Sequence, residues 1–134
     1  TASRNLVLMA RYLFGESASS RTFDDSMEDV AILETLFDHE LRCLAIAEAA
    51  IRSGQLVVLE DDESTGNEEQ SKLSFENAPM QGYFPSQAAF KDALASLQRF
   101  GFVRLLPGFD AGSIRPTPKL RDFLGRLDLD GIVF

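Results

Sequence analysis

The chain has no tryptophan, one cysteine and one histidine in 134 residues, and each scarcity removes a class of chemistry. With Cys43 alone no internal disulfide can form, so the fold must rest on its own core, as suits a reducing compartment. Cys43 lies between Arg42 and Leu44 in a helical pattern, where a packed, inert thiol is expected. His39, the sole histidine, cannot make a zinc site with one distant cysteine, and reads as a helix-surface or helix-boundary residue. No Ser or Cys nucleophile has an identifiable partner base. Gly108 and Gly112 have neither the spacing nor the following Lys of a phosphate-binding loop. No apolar run approaches the roughly 18 residues of a membrane-spanning helix, so no membrane partner is expected. These gaps leave no catalytic set, no metal and no cofactor. The chain should act by binding.

What is present is an uneven distribution of charge. The formal net charge is −8. Residues 1–80 hold 16 acidic and 6 basic side chains, whereas residues 81–127 hold 7 basic and 3 acidic. Such asymmetry suggests that one face meets an anionic partner while the rest keeps the chain soluble. Six of the carboxylates fall in the run 60–69. That run lacks the alternating Asp spacing of a calcium loop and reads as a solvated insertion, able at most to attract a basic partner. Ser64 and Thr65 beside it give a weak acid-directed phosphorylation signal.

The hydrophobic pattern divides the chain into 1–25, an N-terminal helix and connector, and 26–134, a domain with an acidic insertion at 60–70. Residues 5–14 form a short apolar helix ending at Gly15. Thr1-Ala2-Ser3-Arg4 lacks an initiator Met and reads as a fragment boundary. No small-residue cleavage pattern follows the apolar stretch, so no signal peptide is expected and the location should be intracellular, cytoplasmic, nucleoid or nuclear. Asp24, Asp25 and Ser26 offer caps and first-turn carboxylates for a second helix. Val30, Leu33, Phe37, Leu41, Leu44, Ala47 and Ile51 then share one helical face, either in a single helix to Ser53 or in two with a break near Asp38-His39. The β-branched run 55–60 reads as a strand. Residues 71–78 are a weak helix.

The clearest pattern starts at Ser86, which can cap a helix whose stripe is Phe90, Ala93, Leu94, Leu97 and Phe100. Gly101 supplies a left-handed stop. Residues 102–106 and 113–116 read as strands around a turn-rich tip at 107–112, and Thr117 caps a last helix with Pro118 at its first position.

The order helix, strand, helix, helix, hairpin, helix resembles the winged helix-turn-helix superfamily. The stretch ALASLQRFGFVRLL…GSIRPTPKL is similar to the corresponding region of MarR-like and other small regulators, over about half the chain. The resemblance implies an α+β, mostly helical winged helix-turn-helix with an additional N-terminal helix or helices. It implies a recognition helix at 86–100 and a wing at 102–116 on duplex DNA, in transcription or in replication and chromosome maintenance. Ser86, Gln87, Lys91, Gln98 and Arg99 would then face the major groove, where Gln and Arg pair with adenine and guanine edges. Arg104, Arg115, Lys119 and Arg121 would meet phosphates. The alternative is a winged helix that serves as a protein-interaction subunit, docking on another chain or on itself through residues 5–14. Eleven phenylalanines add a further clue. Phe14, Phe23, Phe75, Phe84 and Phe109 lie outside the clean stripes, and Phe109 at the wing tip could insert into a partner.

Overall fold

Helical periodicity, rather than strand alternation, dominates the chain, and its structure, a computed structural model, is accordingly mostly helical. It describes residues 2–14, 22–58, 75, 78–80, 82–106, 113–130 and 132. The acidic run 60–69 with Ser64 and Thr65, the hairpin tip with Gly108, Phe109 and Gly112, Gly15, and most of the weak helix at 71–78 lie outside these. Among these residues, five α-helices and one two-stranded antiparallel sheet follow in the order α1 (Ala2–Phe14), α2 (Phe23–Thr35), α3 (Asp38–Arg52), α4 (Gln87–Ser96), β1 (Val103–Leu106), β2 (Ser113–Pro116) and α5 (Pro118–Arg126). A 3-10 turn, Leu97–Phe100, joins α4 to the hairpin. This is an α+β arrangement.

Local chemistry sets most boundaries. Thr22 Oγ1 accepts from Asp25 N at 3.2 Å and opens α2, with Asp24 and Asp25 on the positive end of its dipole. The long apolar face breaks into two helices at Leu36–Phe37, slightly before Asp38-His39. Phe37 takes an extended backbone, and its N–H donates to Glu40 Oε1 at 2.9 Å. The carboxylate of Glu40 thus reaches back three residues to cap α3. Ser86 Oγ accepts from Ala89 N to start α4, and Gly101 closes the 3-10 turn at φ 76°. Thr117 Oγ1 accepts from Leu120 N, with Pro118 at the first helical position of α5.

The strand expected at 55–60 does not form over its described part, 55–58. Gln55 N and Leu56 N both donate to the Ala50 carbonyl, at 2.9 and 3.1 Å. The donors that would enter a ladder instead close the end of α3, next to Gly54 at φ 80°. Leu56 folds down into the core. The described sheet is therefore the hairpin alone, with Val103 opposite Pro116 and Leu105 opposite Ile114.

The core explains the phenylalanines. Phe75, Phe90, Phe102 and Phe123 are fully buried. Phe102 and Phe123 meet at 4.8 Å between ring centres, joining the base of the hairpin to α5, while Phe75 and Phe84 both pack on Phe90. Truncating such a ring to alanine costs about 3–5 kcal/mol. Among the described residues Phe14 and Phe37 are instead exposed, at 90% and 57%.

The N-terminal helix is stitched into this body. Leu8 and Tyr12 are buried against it, and Asn5 Nδ2 donates to the Leu33 and Leu36 carbonyls at 2.8 and 3.0 Å, satisfying the C-terminal end of α2. Arg4 pairs with Asp38, and Arg11 donates to the Asp128 and Asp130 carbonyls.

Candidate functional site

The helix α4 and the hairpin after it carry all nine expected contact residues or flank them, but their side chains do not form one basic face. Ser86 is taken up by the cap it makes. Gln87 is exposed in the first turn of α4, and Lys91 is half-buried one residue from exposed Asp92. Gln98 is exposed on the 3-10 turn.

Arg99 is turned inward. Its Nη2 donates to Glu40 Oε1 at 2.6 Å and to the Thr35 carbonyl at 3.1 Å, and its Nε donates to Glu40 Oε2 at 3.2 Å. The guanidinium stacks over Phe37 and Phe100, at 5.0 and 4.2 Å from the ring centres. Glu40 is fully buried and receives two further donors, Phe37 N and Ser96 Oγ. A charge removed from water this completely needs every one of those partners. Arg99 cannot read a base edge without orphaning Glu40. The open groove around this pair, about 560 Å³ and walled by Phe37, His39, Ala95 and Gln98, has the guanidinium among its lining residues. His39 itself is exposed near the start of α3, stacked on Phe37.

Other cations are also matched. Lys119 Nζ lies 3.1 Å from Glu28 Oε1 and over the Phe102 ring, and Arg121 pairs with Asp122 at 3.2 Å. Arg126, near the end of α5, holds Asp29 with two bonds, Nε to Oδ2 at 2.8 Å and Nη2 to Oδ1 at 3.1 Å. Tyr12 Oη donates to the same Oδ2 at 2.6 Å. Three of these carboxylates, Glu28, Asp29 and Glu40, come from the acidic first part of the chain. The charge asymmetry of the sequence thus partly reports attraction between the two parts of one body. Asp29 and Glu40 were not singled out by sequence reasoning. Glu40 left one signal, its place three residues after a helix cap, but an apolar Phe at that cap hid it.

In the hairpin two cations face each other. Arg104 and Arg115 are directly opposed in the antiparallel register, Arg104 exposed and Arg115 half-buried. Like charges directly opposite one another in a sheet repel, so each cation there gains from a nearby carboxylate or other anion.

Cys43 is fully buried on α3. Burial pushes its thiol well above the ordinary range, and the nearby Glu40 carboxylate adds to the shift. The thiolate is the nucleophile, so the folded chain should react with a thiol-specific disulfide reagent no faster than it unfolds. Rapid stoichiometric labelling of the native protein would contradict this. Among the described residues no cluster of His, Cys, Asp and Glu could hold a metal, and no helix is long and apolar enough to cross a membrane. No family model, curated protein or solved structure matches the chain.

Among the described residues, α1 also presents an apolar surface. On the side of α1 away from the body, Leu6, Val7, Leu13 and Phe14 are 64%, 43%, 51% and 90% exposed. A cluster of large apolar side chains on one helix is the usual mark of a contact surface rather than of ordinary solvated helix.

Proposed function

We propose that this chain is a winged helix-turn-helix module that works through protein contact, with the outer face of α1 as its contact surface. One observation carries the reading: Arg99, Lys119, Arg121 and Arg126, four of the seven cations in 81–127, lie against carboxylates of their own chain, while α1 turns large apolar side chains outward. The Ser86-capped helix, the Gly101 stop, the hairpin and the Thr117-Pro118 opening of the last helix support the winged-helix part. The contact part rests on physics. Burying apolar area stabilises a complex, whereas few unengaged cations give a duplex little to hold.

DNA binding remains the second reading, favoured by the opposed pair Arg104 and Arg115 on the wing. Phosphate contacts from the hairpin and Lys91 would make affinity fall as salt rises. Fluorescence anisotropy with labelled duplexes separates the two. The expected result is no binding tighter than about 10 μM at physiological salt, the non-specific range. Sub-micromolar binding that Lys91→Glu, Arg104→Glu and Arg115→Glu each weaken would replace the protein-contact reading with the DNA reading.

A further inference from the structure

We infer that the partner of α1 is α1 of a second copy of this chain, packed antiparallel about a two-fold axis that passes beside Ala10. The inference deepens the protein-contact reading above and rests on it. Leu6, Val7, Ala10, Leu13 and Phe14 are all exposed and occupy one arc of the helix. Ala10 lies at the middle of that arc, with large side chains four and three residues before it and three and four residues after it. A two-fold axis at Ala10 therefore sets Leu6 against Phe14 of the other copy, Val7 against Leu13, and Ala10 against itself. An isologous interface requires this kind of self-complementary patch. The small side chain stands where two helix axes must come closest.

Charge selects the same occupant. Residues 1–80 are net acidic, so two copies that meet through other faces of this part bring like charge together. Helix α2, by contrast with α1, exposes Asp24, Asp25, Glu28 and Glu34. Residues 2–14 contain no carboxylate, and their two cations are neutralised internally, Arg4 by Asp38 and Arg11 by the carbonyls and carboxylate beyond α5. The outer face of α1 is thus uncharged, and a copy can approach it without meeting like charge.

The test uses the whole chain and two independent readouts. Light scattering at micromolar concentration should give twice the chain mass for wild type. It should give the single chain mass for Leu13→Glu/Phe14→Glu, with the helical circular dichroism unchanged because both positions are exposed. Ala10→Cys should form a disulfide-linked dimer under mild oxidation, since the axis brings the two thiols together and the buried Cys43 does not compete. Adding Phe14→Glu should abolish the link. A wild-type monomer throughout the micromolar range overturns the inference. So does a dimer in which Ala10→Cys crosslinks no faster than the exposed control Glu34→Cys. A monomer that also ignores DNA leaves the protein-contact reading standing with a different apolar partner, whereas tight duplex binding removes that reading itself.

Discussion

An Arg99→Ala variant is expected to lose about 3 kcal/mol of folding stability, seen as a fall of about 10 °C in the thermal midpoint. The guanidinium is 42% exposed, so screening leaves the ion pair itself worth little. The cost arises on the other partner. Glu40 is fully buried and would keep only the Phe37 N–H and the Ser96 hydroxyl. Two remaining donors place the loss near the lower end of the range for breaking a buried pair. Loss of the stacking on Phe37 and Phe100 adds a smaller amount. Paired replacement, Glu40→Gln with Arg99→Met, should recover much of the stability because no charge is then orphaned. Were Arg99 an ordinary solvated reader, alanine would change stability by less than about 0.5 kcal/mol, and that result would refute the clamp.

The second large effect is expected at Arg126→Ala, about 4 kcal/mol by urea unfolding, with an unchanged denaturant slope. Asp29 and Arg126 are more enclosed than the first pair, with side chains 3% and 16% exposed. Their two-bond geometry is the stronger form of this interaction. Removing Arg126 takes two charge-assisted bonds from a carboxylate buried where α1, α2 and α5 converge, while the Tyr12 hydroxyl still donates to it. The triple variant Tyr12→Phe, Asp29→Leu, Arg126→Met should return to within about 1 kcal/mol of wild type, because an apolar replacement has no desolvation to offset. If the triple variant were no more stable than Arg126→Ala, the loss would reflect packing rather than a stranded charge.

What could be read from the residues was what is decided locally. The stripe from Phe90 to Phe100, the left-handed stop at Gly101 and the Thr117-Pro118 opening each depend on a few neighbours in sequence, and each stands where the periodicity put it. Residues 55–60 misled because β-branched composition describes a preference. The actual outcome depended on Gly54 turning the chain so that the next two N–H groups reached the Ala50 carbonyl. The helix break moved to Leu36–Phe37 for a related reason, since its cap is a side chain reaching back from Glu40. Charge was the least legible property. Arg99 and Glu40 are 59 residues apart and Arg126 and Asp29 are 97 apart. No periodicity encodes pairs so distant, and a count of +4 over 81–127 cannot distinguish a cation facing solvent from one facing its own core.

Asn5 gives α1 a further role. Its amide nitrogen holds the last carbonyls of α2, at the point where the chain bends from α2 into α3. The bend is thus clamped from outside by a residue about thirty positions earlier, which ties the end of α2 to the first helix. Clipping α1 away would leave two bare carbonyls at that corner and loosen the α2–α3 angle. Through α3, the same loosening would reach Glu40, Arg99 and the orientation of α4. An event at the first helix would therefore be felt at the hairpin through α3 and α4.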